Sequence, residues 1–305
     1  MTKIKVIGIG GSGGNSLTRM AKSKIKGIEL IAINTDLQDL KKTKSNLKLW
    51  IGKKITRGLG TGMKPEIGYQ SALENQSEIF EILKGGEIIF LTYGAGGGTG
   101  TGAGPLVAEI AKNLGALTIA IITKPFSFEG LARIKIAQTG IEKLKEKVDS
   151  LITISNDKLL EILNPKTPVL NAFWFCDDIL RQAVKGISDL IILPGIINID
   201  FADIKSIMKN AGTAILGIGL ARGEKRAEIA TKLALNSPLL DTSPKGAKGI
   251  LFNLSANKIR LSEINEVSKI ISQEINPQAK IVFGAVQDEK LKKDELKVTI
   301  IATGF

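Results

Sequence analysis

Gly94-Ala95-Gly96-Gly97-Gly98-Thr99-Gly100-Thr101-Gly102 stands directly after the apolar, β-branched stretch Glu87 to Thr92 and before Ala103-Gly104-Pro105 and a helical pattern. A strand that empties into so dense a glycine run lets the main chain approach a bound group from several sides, because no Cβ shields the amides. Thr99 and Thr101 add hydroxyl donors, and the following helix begins with unpaired N–H groups. These are the requirements of a phosphate-binding loop. A second run, Gly8-Ile9-Gly10-Gly11-Ser12-Gly13-Gly14-Asn15, leaves the strand-like segment Ile4 to Ile9 and also enters a helical stretch. Backbone donors and a helix N-terminus converge there too.

The run beginning at Gly8 also admits a different reading. Gly8, Gly10 and Gly13 satisfy the dinucleotide spacing G-x-G-x-x-G, and Asp36 closes the next strand about 20 residues later, where a ribose-binding acid belongs. An NAD-dependent oxidoreductase is the leading alternative on this loop alone. A dinucleotide fold, however, has no use for a second run of this kind. The pattern G-x-x-x-x-G-K-[ST] occurs nowhere, which excludes a Walker-type nucleoside triphosphatase.

Around these loops, short β-branched segments at Glu29 to Asn34, Ala116 to Thr123 and Ser150 to Ile154 alternate with helical runs at Ala103 to Leu114 and Leu131 to Val148. Such alternation predicts crossover units and an α/β fold with a mostly parallel sheet. Asn171 to Ser188 reads as one long helix ended by the breaker Pro194-Gly195. Strands at Thr213 to Leu220, Gly249 to Leu254, Lys280 to Val286 and Lys297 to Thr303, with helices at Glu224 to Asn236 and Leu261 to Ile275, predict a second, smaller α/β domain. The expected division is a domain at 1–167, a connecting helix at 168–192 and a domain at 193–305. A length of 305 residues suits two cores.

The chain has 33 glycines and nine prolines, which favours many tight loops in a folded protein. One cysteine, Cys176, forms no internal disulfide, and no charged-then-apolar leader opens at Met1, so a cytoplasmic setting is expected. The longest apolar runs, such as Ala116 to Ile122 and Leu190 to Pro194, fall well short of a membrane span. With no histidine, imidazole acid-base chemistry, histidine triads and histidine-ligated metals are excluded. The net charge of +12 raises nucleic acid as a partner, but the lysines are dispersed and lack interleaved aromatics, so a solvated surface is expected.

Gly96 to Gly102 resembles the G-G-G-T-G-T-G signature of the tubulin/FtsZ GTPase family, and the similarity extends from Ile4 to Phe305, closer to the FtsZ branch than to the longer tubulins. The resemblance implies a Rossmann-like GTPase domain, a long central helix and a C-terminal activating domain. It further implies head-to-tail filaments that hydrolyse GTP to GDP between subunits, with Mg2+ accompanying the triphosphate and no metal ligand assigned to the protein.

Carried over residue by residue, the resemblance implies that Gly11, Ser12, Gly13, Gly14 and Asn15, with Gly98, Thr99 and Gly100, hold the phosphates. Glu129 would contact the sugar, Arg133 the sugar or phosphates, and Phe173 would stack on the base. Asp177 would read guanine, whose two adjacent donors suit a carboxylate at about 1.5 to 3 kcal/mol per charge-assisted bond. It is expected as a partly exposed acceptor at the lip of the site. Trp174 and Cys176 depart from the usual small or polar residues there and are expected to pack. Arg57 to Gly62 resembles the γ-phosphate-sensing loop, with Thr61 where alanine is usual.

Asn198-Ile199-Asp200-Phe201-Ala202-Asp203 resembles the family's N-x-D-x-x-D loop, making Asn198, Asp200 and Asp203 the catalytic candidates. Without the family, two acids three apart at a helix start simply complement its dipole. The implied partners are copies of the chain itself and membrane-tethering division proteins, reached through a C-terminal tail absent after Phe305, with no specific nucleic acid. The implied location is the cytoplasm, at a mid-cell division ring. A plasmid-partition or other basic filament protein of the tubulin superfamily is the second alternative, resting on the net charge.

Overall fold

The computed structural model describes residues 2–305 except 24, 26, 162, 165, 193–194, 198 and 238–243. The chain divides into two compact units, Met1–Lys185 and Gly186–Phe305.

The first unit is built on β1 (Ile4–Ile9), α1 (Gly10–Lys22), β2 (Ile28–Asn34), α2 (Leu37–Lys42), β3 (Leu47–Trp50), α3 (Lys53–Thr56), α4 (Pro65–Glu74) and α5 (Gln76–Leu83). It continues through β4 (Ile88–Gly94), α6 (Gly98–Asn113), β5 (Leu117–Lys124), a single 3-10 turn at Ser127–Glu129, α7 (Leu131–Lys145), β6 (Ser150–Ser155), α8 (Asn156–Leu160) and α9 (Val169–Ile192), whose residues from Gly186 onward belong to the second unit. Strand order is β3-β2-β1-β4-β5-β6, with every pair parallel. Helices cover both faces of such a sheet, so β4 and β5 read as continuous apolar runs instead of alternating ones. Ile7, Leu91 and Ile122 of the sheet and Val107 and Leu144 of the helices are buried in one core.

The glycine runs serve this packing directly. A Cβ at Gly13 would lie 2.6 Å from the carbonyl oxygen of Thr92, so α1 crosses β4 at a distance only glycine permits. A Cβ at Gly98 would lie 2.1 Å from Thr61 Oγ1 and 2.8 Å from Lys64 N, which seats the start of α6 on the segment before α4. Both helices begin earlier than their apolar periodicity suggests, α1 at Gly10 and α6 at Gly98, and the glycines form their first turns.

The second unit contains α10 (Phe201–Met208), β7 (Gly212–Arg222), α11 (Arg226–Leu235), β8 (Gly249–Ala256), α12 (Leu261–Glu274), β9 (Lys280–Gln287) and β10 (Glu295–Thr303). β10 lies antiparallel between β7 and β8, and β9 runs parallel to β8. Phe252, Leu254, Val267, Ile271, Val298 and Ile300 are among its buried core. Arg226 is the polar anchor. It donates to both Glu263 carboxylate oxygens at 2.6 and 3.1 Å and to the carbonyls of Lys258, Lys293 and Glu295.

The α/β fold anticipated from the alternation therefore forms, with parallel strand pairing in the first unit and mixed pairing in the second. Among the described residues no helix is long and apolar enough to cross a membrane.

Candidate functional site

Sheet order reverses between β1 and β4, and in open parallel sheets a ligand crevice forms outside the carboxyl ends of the strands at such a point. A cleft of about 710 Å³ lies there, between the N-terminal turns of α1, the ends of β4 and β5, and α9. Gly11, Ser12 and Asn15 line it from α1, Glu129 from the β5–α7 connection, Arg133 from the first turn of α7, and Phe173 and Asp177 from α9. No side chain caps the N-terminus of α1 or of α6, and neither helix has an acid in its first turn, so both keep the partial positive end of their dipoles.

Asp177 is not a lip residue. Its side chain is 12% exposed, with Oδ2 accepting from Arg19 Nε at 3.1 Å and Oδ1 from Ser16 Oγ at 3.3 Å. Burial pushes the carboxyl above its ordinary value, opposed by the Arg19 and Ser16 hydrogen bonds. Asp178 turns away, held by Arg181 and Gln182 of its own helix. Phe173 is braced edge-on by the buried ring of Phe126 at 5.2 Å and remains 39% exposed, leaving ring surface for a planar group.

Trp174 does not pack in the core. It is 49% exposed, and the Arg19 guanidinium carbon sits 5.4 Å from its ring centroid, within cation–π range. Cys176 is buried, and its thiol is pushed up to about 12 by that burial and by the Asp177 charge, which keeps it protonated and inert.

Arg133 pairs with Glu129 at 2.9 Å, while Glu129 also accepts from Phe126 N at 2.8 Å. Arg133 Nε and Asn156 Oδ1 are buried without hydrogen-bond partners. Both residues line the cleft. A buried donor and a buried acceptor left unpaired in one cleft suit a polar ligand between them.

The other candidates fall elsewhere. Gly13 and Gly14 are buried behind the cleft, Gly14 against Thr43. Gly98 and Gly100 pack on Thr61 and the Tyr93 ring, and the Thr99 hydroxyl shares a 2.7 Å hydrogen bond with Thr35. These five do not line the cleft itself. Asn198 lies outside the described residues. In the second unit, Asp200 is the N-cap of α10 and accepts from Asp203 N at 2.8 Å, and Asp203 is half-buried in its first turn. Asp36 likewise caps α2, accepting from Asp39 N at 2.9 Å, so a helix end accounts for the acid that suggested a ribose.

Residues 3–164 match the GTPase domain of the tubulin/FtsZ family, and residues 212–305 match the FtsZ family C-terminal domain. The chain belongs to the tubulin/FtsZ family. It carries that family's GTPase domain and is a GTPase, which removes the NAD-dependent oxidoreductase from consideration. The chain is 47% identical over 302 residues to cell division protein FtsZ 1 of Thermococcus kodakarensis, covering 99% of this chain and 80% of that protein. An FtsZ dimer of M. jannaschii superposes with a TM-score of 0.95 at 46% identity, over 100% of this chain and 88% of that one. CetZ2 of Haloferax volcanii, solved as a GTPγS-bound protofilament, shares the fold at a TM-score of 0.83 and 18% identity, over 99% of this chain and 92% of that one.

Sequence reasoning missed Ser16 and Arg19, which hold Asp177, and Thr123 and Asn156, which line the cleft. Ser12, Ser16 and Arg19 follow helical spacing from the first glycine run, which would have placed all three on the helix face bearing the site. Asn156 carries no such signal, because only the sheet brings the end of β6 to the cleft.

Proposed function

We propose that the cleft of the first unit binds GTP and that the chain assembles with copies of itself into filaments that hydrolyse it. The observation that carries the binding half is the cleft's composition: an uncapped helix start, two unpaired buried polar atoms, a braced exposed ring and a buried carboxylate face one space. In this reading Gly11, Ser12 and Asn15 take the phosphates, with Gly98, Thr99 and Gly100 shaping the start of α6 behind them. Glu129, Arg133 and Asn156 take the sugar and adjoining phosphate. Phe173 stacks on the base and Asp177 accepts from guanine N1–H and its exocyclic amine.

Mg2+ is the expected companion of the triphosphate, since magnesium commonly binds through phosphates and water with few protein ligands. When bound it would offset phosphate charge.

We assign hydrolysis to Asp200 and Asp203 of a neighbouring copy, orienting water towards the γ-phosphate, with Asn198 helping to place that loop. The working division is 1–167 for nucleotide binding, 168–192 for the connecting helix and 193–305 for activation. The role is filament formation in a cytoplasmic division ring, in line with the cell-division name of the Thermococcus relative. Electron microscopy with GTP and with GDP tests the assembly half: filaments with GTP alone are expected, and their absence in both states overturns it.

A further inference from the structure

Asp177 meets an electrostatic difficulty. To accept from two guanine donors its carboxylate must be ionised, because a protonated carboxyl presents a donor on one oxygen and meets guanine's donors head-on. Its surroundings oppose that state, since the side chain is 12% exposed and burial favours the neutral form. It must also keep its plane fixed, and a lone aspartate on a helix rotates about two torsions.

Two residues of α1 resolve both problems. Arg19 Nε donates to Oδ2 at 3.1 Å and Ser16 Oγ to Oδ1 at 3.3 Å, so each oxygen is held from one side and keeps a second lone pair for a ligand. Arg19 is in turn fixed by Trp174, whose ring lies 5.4 Å from the guanidinium carbon. Trp174, Asp177 and Arg19 all line the same cleft. A hydrated lysine could supply charge at this place but not the flat surface that stacks on an indole.

We propose that Arg19 is a positioning residue for base recognition, clamped by Trp174 and holding the Asp177 carboxylate ionised and oriented for guanine. The inference rests on the reading of Asp177 as the base acceptor. Neither the glycine signature nor the paired acids of the second unit demand an arginine here. The other charges around Asp177 leave the task to Arg19: Asp178 is engaged by Arg181, Glu129 is paired with Arg133, Asp39 accepts from Asn34, and Lys22 is exposed at the end of α1.

The test is calorimetric titration with GDP at pH 6, 7 and 8.5, on wild type, Arg19→Gln, Arg19→Lys, Ser16→Ala and Asp177→Asn. Wild-type affinity should be nearly flat across this range. Arg19→Gln should bind about tenfold or more weakly at pH 6 and recover towards pH 8.5, because Asp177 must then ionise without a cation. Arg19→Lys should fall between the two, and Ser16→Ala should show a smaller shift of the same sign. If Arg19→Gln does not fold, Ser16→Ala and Arg19→Lys carry the same comparison. A pH profile parallel to wild type, or a uniform loss that lysine does not relieve, overturns the positioning role. Asp177→Asn separates the two levels: wild-type GDP affinity there overturns the base-acceptor reading itself, whereas weak binding by Asp177→Asn beside wild-type behaviour of Arg19→Gln overturns only the role of Arg19.

Discussion

Residue 177 illustrates what one side chain can disclose from sequence and what it cannot. An acid after Phe173 in a helix that follows an α/β domain is legible as a base reader by resemblance, but its burial is not, because the enclosing groups Ser16 and Arg19 stand some 160 positions upstream. Asp177→Ala is expected to weaken GTP binding about tenfold or more while leaving ATP binding unchanged. It should also cost roughly 1 to 3 kcal/mol of stability, since Arg19 loses its acceptor. Titration with both nucleotides and a urea midpoint measure this, and equal loss of GTP and ATP binding contradicts it. At Gly98 a valine would place its Cβ on Thr61 Oγ1 and Lys64 N, so the start of α6 must shift. Gly98→Val should abolish nucleotide binding and destabilise by about 1 to 3 kcal/mol or more, as overpacking does. A folded variant with unaltered GDP affinity contradicts that expectation.

Among elements, the long strands and amphipathic helices were legible because burial on both faces writes a continuous apolar run, and burial on one face a helical period. The start of β1 at Ile4, of α7 at Leu131 and of α12 at Leu261 all agree with the pattern. The pieces between β2 and β4 were not. β3 has only four residues, Leu47-Lys48-Leu49-Trp50, too short for an alternation to stand out. α4 carries Gly68 in its middle, which weakens any helix signal, and a Cβ there would lie 2.2 Å from the carbonyl oxygen of Gly98. Close helix packing, a tertiary demand, selects that glycine.

The ion pair between α11 and α12 gives the element scale its own prediction. Burial raises the Glu263 carboxyl, but hydrogen bonds from Arg226 and from the Arg260 amide outweigh it and hold the group below its ordinary value of 4.5. A depressed carboxyl stabilises the fold at any pH above the unfolded value and loses that contribution as pH falls through the folded one. Thermal stability of the second unit should therefore decline below about pH 4.5. Glu263→Gln should flatten that decline and cost about 3 to 5 kcal/mol at neutral pH, because Arg226 stays buried without its countercharge. Differential scanning calorimetry across pH decides; an unchanged acid slope in the variant contradicts the assignment.

For the whole molecule, charge and catalysis raise separate questions. Residues 1–60 contain 13 of the Lys and Arg residues against three Asp and Glu, and so supply most of the net charge of +12. Several of these cations close helices, with Lys22 in the last turn of α1 and Lys41 and Lys42 in that of α2, where they are exposed and complement helix dipoles. A dipole-complementing, solvated role predicts that GTP-dependent assemblies survive nuclease treatment. Assemblies that dissolve with nuclease would favour a nucleic-acid-bound filament.

The cleft belongs to the first unit and Asp200 and Asp203 to the second, and in the proposed mechanism a neighbour's carboxylates complete each site. Loss of one preorganised group typically costs about 2.7 to 4 kcal/mol, or roughly 100-fold or more in rate. Asp203→Ala should therefore bind GTP and assemble yet turn over poorly. The most direct measurement is GTPase activity per subunit from dilute monomer to polymer, with and without the Asp203→Ala chain mixed in. A steep rise with concentration to a plateau is expected, lowered when mutant subunits co-assemble and leave their neighbours' nucleotide without its carboxylate. A specific activity that is flat from monomer to polymer, and indifferent to the mutant, would contradict it.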